Sequence, residues 1–146
     1  MTALHVHDLG SPAGTPLLAV HGITGHGLRF RRSAVEGWPD RRTLAVDLRG
    51  HGRSTGDGPW SIAQHVTDLL DTLDAYGLDS VDVLGHSYGG AIALALVARA
   101  PERVARLVPL DPASRQWGAA QALPARDYAV SGLCLYRDEA SNLHLF

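Results

Sequence analysis

The amino-acid sequence predicts an α/β fold, with a mostly parallel sheet and helices on both of its faces. Short apolar segments alternate with helical segments along the 146 residues, which is the order expected of parallel βαβ units. The segments 16–20 and 43–46 are continuously apolar, as interior strands buried on both faces should be. A third apolar run, 81–84, leads through a glycine-rich turn into an apolar helix.

These three runs are the interior members of five predicted strands. The first strand, 4–9, alternates apolar with polar residues and stops at a Gly-Ser-Pro turn, which favours a place at the edge of the sheet. The fifth strand is 104–110. Beyond residue 111 the pattern deteriorates, and 128–136 is open to interpretation as a strand or a buried loop.

Three helices are predicted between the strands. The first, around 29–36, is weakly patterned. The second follows a capping box formed by Ser61 and Gln64, and Gly77 supplies its stop. The third, 90–100, is hydrophobic all round, as expected of a helix packed under the sheet.

Composition limits the class of protein. The chain is 45% hydrophobic and 19% charged, which is typical of one globular domain and not of a disordered segment. A net charge of −2 gives no general attraction to nucleic acid or to an anionic membrane, and the longest apolar run is too short to span a bilayer. The lone Cys134 excludes an intramolecular disulfide framework, and no secretory signal is visible, so we expect a cytoplasmic protein.

The segment 85–89, Gly-His-Ser-Tyr-Gly, fits a serine nucleophile displayed on a strand-to-helix bend. Glycine stands two positions either side of Ser87, where a strained turn leaves no room for a Cβ atom. The pattern is weak alone, because glycine and serine are common in loops. It gains specificity from the predicted strand before it and the predicted helix after it.

Three segments together resemble the α/β-hydrolase superfamily over roughly residues 4–112. They are the His-Gly pair at 21–22, the segment 47–54 (Asp-Leu-Arg-Gly-His-Gly-Arg-Ser) and the segment 85–90. Each follows a predicted parallel strand, at the sheet edge where open α/β folds place their ligands.

The resemblance implies that Ser87 is the nucleophile. It also implies an oxyanion hole made by the backbone N–H groups of Tyr88 and Ile23, which would stabilise charge that develops only in the transition state. Relatives with an aspartate nucleophile are haloalkane dehalogenases and epoxide hydrolases. A serine instead implies cofactor-free hydrolysis of an ester, thioester, amide or C–C bond in a small acyl substrate, and leaves perhydrolysis open.

By the same resemblance, His21, Gly22 and His26 belong to the loop that faces the substrate. His21 could act as a base recruited from upstream, but we favour a ring that hydrogen-bonds the loop backbone. A substrate contact of His26 is left open. Asp47 and Arg49 are expected to brace their loop rather than to do chemistry.

The resemblance is weakest for the catalytic base and the catalytic acid. The family order is Ser, then acid, then His. Asp111, at the end of the fifth strand, is the candidate acid, while His144 lacks the late strand and loop that would aim it at the serine. We therefore expect a chain that is inactive or very weak, similar to the amino-terminal portion of a hydrolase cut after about its sixth strand. Residues 1–112 would be the core, and 113–146 an atypical tail that belongs to the same domain or is poorly ordered.

An alternative from a different class is a non-catalytic remnant or interaction module. The fifth strand would then be an exposed edge that pairs with a second copy, as a homodimer, or with another chain that completes the fold.

His5 and His7 alternate on one face of the first strand, a spacing that could grip a metal ion. No Cys, Asp or third His is visibly placed to complete the coordination shell, so we expect no metal site.

Overall fold

The computed structural model of the protein describes residues 3–111 together with the strand segments 128–130, 133–137 and 143–145. A five-stranded sheet forms its centre, in the order β1-β3-β2-β4-β5. Only β1 is antiparallel to its neighbour, and the other pairs are parallel. The strands are β1 (Val6–Gly10), β2 (Pro16–Val20), β3 (Arg42–Val46), β4 (Val81–His86) and β5 (Val104–Leu110).

The predicted α/β sheet and its five strands are thus confirmed, with β1 at one edge. Five strands of the main sheet lie among the described residues.

The two faces of the sheet are covered differently. Helices α1 (Ile62–Ala75) and α2 (Tyr88–Arg99) pack on one face, against strand residues such as Leu18 and Val83. The other face carries two short helical turns, Gly27–Phe30 and Ser33–Gly37, where the sequence predicted one helix around 29–36. The Phe30 ring of the first turn packs on that face.

Helix α1 begins with half of the predicted capping box. The Ser61 hydroxyl accepts a hydrogen bond from the Gln64 N–H at 3.2 Å. The Gln64 side chain does not accept a hydrogen bond from the Ser61 N–H, as a full capping box requires. It donates instead to Asp68 at 3.0 Å. Gly77, with φ of +63°, lies just past the end of the helix as predicted.

Strands β6 (Tyr128–Val130), β7 (Leu133–Arg137) and β8 (Leu143–Leu145) form a separate antiparallel sheet. The rest of the expected tail, including the domain boundary at residue 112, lies outside the described residues. Neither helix in the described part of the chain has the length and hydrophobicity that crossing a bilayer would require.

Candidate active site

The bend between β4 and α2 holds Ser87 in a conformation that few side chains adopt. Its φ of +53° and ψ of −114° lie outside the ordinary helix and strand regions. The two flanking glycines make the bend feasible. A Cβ atom on Gly85 would lie 2.5 Å from the Gly89 carbonyl oxygen, and one on Gly89 would overlap the Val20 carbonyl oxygen. The segment therefore needs glycine at both positions.

Ser87 is half-buried at the carboxyl end of the parallel strands. Its N–H donates to the Leu110 carbonyl at 2.8 Å, which ties the bend to the end of β5. Gly22 comes close from the end of β2, since a Cβ atom placed on it would lie 3.4 Å from the Ser87 Cβ. Within residues 3–111, no side chain hydrogen-bonds to the Ser87 hydroxyl.

Two backbone N–H groups are suited to the role of oxyanion donors. Tyr88 is the first residue of α2, where an amide has no acceptor within the helix and the helix dipole favours negative charge. Ile23 lies in the loop after β2, and its N–H has no acceptor among the described residues. A hydrogen bond of 2.8 Å from the Gly25 N–H to the Gly22 carbonyl closes that loop into a turn.

His21 is buried beneath this loop, and both of its ring nitrogens are occupied. Its Nε2 accepts from the Leu48 N–H at 3.0 Å, so Nδ1 carries the proton and donates to the Gly22 carbonyl at 2.7 Å. Burial lowers the pKa of His21 to about 4, which keeps the ring neutral near pH 7. In this arrangement the ring braces the loop and has no free nitrogen to take a proton from Ser87. His26, by contrast, is exposed.

His51 holds the Ile23 loop from the other side. Its Nε2 lies 2.6 Å from the Ile23 carbonyl oxygen, and its Nδ1 lies 3.0 Å from the Arg49 carbonyl oxygen. A neutral imidazole has one N–H, so it can donate to only one of these oxygens at a time. The His21 ring lies close by, with its centroid 5.1 Å from that of His51.

Asp47 organises the loop after β3. It is 1% exposed, and its carboxylate accepts from the Gly27 N–H at 2.6 Å and the Arg53 N–H at 2.8 Å. Burial alone would raise the pKa of Asp47, but these two bonds and the His7 ring lower it overall. Its carbonyl oxygen also accepts from the Ser54 hydroxyl at 2.6 Å.

Arg49 reaches away from the site to helix α1. It donates two hydrogen bonds to Asp68, at 2.7 and 2.5 Å, and Asp68 is fully buried. The structure thus gives both Asp47 and Arg49 bracing contacts.

The structure describes the side chain of Asp111, the candidate acid, but not that of His144, the candidate base. Asp111 follows β5 with φ of +43° and is exposed, and its neighbour Leu110 contacts Ser87 through the backbone. His144 lies on β8, and its side chain lies outside the described residues.

Comparison with known proteins decides the family. A family model described as the alpha/beta hydrolase fold matches residues 15–129. The chain belongs to the α/β-hydrolase fold family. This confirms the resemblance drawn from the three motifs.

Individual relatives agree with the family. The chain is 44% identical over 110 residues to Lipase LipV of Mycobacterium tuberculosis, a match that covers 75% of this chain and 42% of the lipase. It is 41% identical over 114 residues to 2-hydroxymuconate semialdehyde hydrolase of Pseudomonas putida, covering 71% of this chain and 38% of the relative. Among solved structures, a marine microorganism esterase superposes with a TM-score of 0.72 at 31% identity, covering 76% of this chain and 42% of that one. The chain therefore spans about two fifths of the length of these α/β-hydrolases.

The structure places a third potential ligand beside the two histidines of the first predicted strand. The sequence showed no third ligand for His5 and His7, yet the structure brings Asp47 to them, with candidate ligand atoms all within 4.8 Å of one another. Neither this cluster nor the contacts of His51 were visible in the sequence, because each joins residues from segments far apart in the chain.

Proposed function

We propose that this α/β-hydrolase chain carries the nucleophile and the oxyanion hole of a serine hydrolase for a small carboxylic ester or related acyl substrate. The observation that carries the proposal is the strained Ser87, which stands between β4 and the amino end of α2 with glycine at both flanking positions. Relatives named as lipase, esterase and semialdehyde hydrolase support acyl or C–C bond cleavage as the reaction class.

In the proposed reaction the Ser87 oxygen loses its proton and attacks the carbonyl carbon of an ester. The bond from that carbon to the alkoxy oxygen then breaks, and the alcohol leaves with a proton. Water hydrolyses the resulting acyl-enzyme to a carboxylic acid and restores the Ser87 hydroxyl. Negative charge develops on the carbonyl oxygen, facing the N–H groups of Tyr88 and Ile23. Loss of one such donor costs on the order of 2.7–4 kcal/mol of transition-state stabilisation. No step needs a cofactor, and the lone Cys134 favours the cytoplasm as its location.

The proposed activity of this chain alone is very weak. A serine hydroxyl attacks slowly unless an imidazole accepts its proton and a carboxylate orients that imidazole. Among residues 3–111 no imidazole bonds to Ser87, and both nitrogens of His21 are engaged elsewhere. In subtilisin, loss of the histidine lowers kcat by about 2 × 10⁶. Asp111 is the candidate acid for a base that the described residues do not supply.

The test is labelling of the serine by a fluorophosphonate probe, with and without free imidazole as a substitute base. We expect slow labelling of the wild-type chain that imidazole accelerates, mapped to Ser87 by mass spectrometry. Ser87→Ala should abolish labelling, while Ser80→Ala, at an exposed serine outside the site, should leave it unchanged.

Two results would count against the proposal, each against a different part. Rapid labelling without imidazole, with turnover of p-nitrophenyl acetate, would show that the chain already has a base. An absence of labelling at Ser87 even with imidazole would remove its role as nucleophile.

A further inference from the structure

The cluster of His5, His7 and Asp47 follows from the pairing of β1 with β3. These strands are antiparallel with Val6 opposite Val46, so the register places His5 opposite Asp47. The Asp47 N–H donates to the His5 carbonyl at 2.9 Å, which fixes this pairing. Residues two apart on a strand share a face, so His7 lies on the same side of the sheet as His5.

The distances suit a bound ion. The His7 Nε2 lies 3.2 Å from each oxygen of the Asp47 carboxylate. Ligand atoms of a tetrahedral ion with bonds of 2.0–2.1 Å lie about 3.3 Å from one another. The His7–Asp47 pair is therefore already at ligand spacing. The ligand nitrogen of His5 lies within 4.8 Å of both other ligand atoms.

Asp47 and His5 have different surroundings, and each suits a metal ligand. The Asp47 carboxylate is buried, and the N–H groups of Gly27 and Arg53 donate hydrogen bonds that fix its orientation, as hydrogen bonds to the ligands do in metal sites. The His5 ring has no hydrogen bond to a described residue and stands edge-on to the His7 ring, with centroids 4.6 Å apart. Its nitrogens are therefore available.

We propose that His5, His7 and Asp47 bind one divalent transition-metal ion of the zinc type, with water at the remaining position. Two imidazoles and one carboxylate are a donor set for Zn²⁺ and similar ions, not for Ca²⁺ or Mg²⁺, which prefer oxygen ligands. On binding, the ion replaces the proton that His7 Nε2 shares with Asp47. It cross-links edge strand β1 to the loop after β3 and stabilises that side of the sheet. Because β1 is three places from β4 in the sheet, the site is separate from Ser87.

The experiment uses the untagged full chain, stripped of metal. Calorimetric titration with Zn²⁺ should show one equivalent bound, and Co²⁺ should give the visible absorption of a low-symmetry site. Substitution His5→Ala removes one of three ligands and should weaken Zn²⁺ binding by more than the roughly tenfold that loss of a partner hydrogen-bonded to a ligand costs. His26→Ala, at an exposed histidine outside the cluster, should bind as the wild type does.

A second measurement tests whether Zn²⁺ stabilises the edge of the sheet at β1. Zn²⁺ should raise the melting temperature of the wild type and of His26→Ala, and should raise that of His5→Ala much less. Asp47 is unsuitable as the test position because it also holds the loops of Gly27 and Arg53. Absence of saturable binding, or equal affinity in His5→Ala and the wild type, would overturn the proposal.

Discussion

At the scale of single residues, Gly89 shows how closely the bend at Ser87 is packed. An added Cβ atom would overlap the Val20 carbonyl oxygen and lie 2.5 Å from that of His21, both backbone atoms of the neighbouring strand end. We expect Gly89→Ala to lower the free energy of unfolding by about 1–3 kcal/mol, as overpacking does in other proteins. Urea denaturation measures the change.

Gly37 is the matched control for this substitution. Its added Cβ atom would have no atom within 4 Å. Gly37→Ala should therefore change the free energy of unfolding by less than about 0.5 kcal/mol. Equal losses in the two variants would show that close packing at the bend is not the cause.

A second residue-scale prediction concerns His21 and pH. Burial lowers the pKa of His21 to about 4 from 6.5, so between these values the unfolded chain binds a proton that the folded chain does not. The free energy of unfolding therefore decreases as pH falls from about 6.5 to about 4, and this group accounts for about 3 kcal/mol of the decrease. The pKa of His65 is also lowered by burial and adds to the loss.

The comparison that isolates His21 is a pH series of urea denaturation with His21→Asn. The variant should be less stable than the wild type at pH 7 and should lose less stability on acidification to pH 4. The lowered pKa of Asp47 acts at lower pH, because its contribution is lost only below the ordinary carboxylate range. Identical slopes for the two proteins between pH 6.5 and 4 would contradict the assignment.

At the scale of elements, the ion pair of Arg49 with Asp68 joins the loop after β3 to helix α1. Asp68 is fully buried, so removing its partner leaves an uncompensated charge inside the protein. We expect Arg49→Met to lower the free energy of unfolding by about 3–5 kcal/mol. Arg32 pairs with Glu36 at the surface, with both side chains largely exposed, so Arg32→Met should cost less than about 0.5 kcal/mol. Thermal and urea melts of both variants decide between these outcomes.

The elements that the sequence predicted correctly are those with local signals. Alternating or continuous apolar runs located all five strands of the main sheet, and the Ser61 cap located the start of α1. The turns between Gly27 and Gly37 were missed as separate elements. Gly27 packs tightly on the Ala45 carbonyl and the His7 ring, and this contact with other strands has no counterpart in helical periodicity.

The residues of the candidate site also fall into two groups, those with a local sequence signal and those without one. The bend around Ser87 is encoded within five consecutive residues, so its motif was sufficient to locate it. Asp68 lies on a helix, where the sequence pattern predicts that a polar residue is exposed to solvent. Its burial depends instead on its ion pair with Arg49, 19 residues earlier in the chain. The approach of Asp47 to His5 depends on the strand register, which no local pattern specifies.

At the scale of the whole molecule, the face of the sheet opposite α1 and α2 contains an open groove of about 390 Å³. Leu17, Leu84, Val108 and Leu110 contribute apolar side chains to it. Strand β6 lies close to β5 but belongs to a different sheet. An open apolar groove of this kind favours contact with another chain. Since the same surface can contact itself across a two-fold axis, we expect the occupant of the groove to be a second copy of this chain.

Sedimentation velocity over a range of protein concentrations tests this expectation. The wild type should shift from monomer towards dimer as concentration rises. Val108→Lys places a charge in the groove and should hold the protein as a monomer, because burying an unpaired ammonium group is costly. Val35→Lys, at a valine that is 54% exposed on the turn Ser33–Gly37, should associate as the wild type does. A wild type that sediments as a monomer at every concentration and unfolds cooperatively would show that β5 and its groove need no partner.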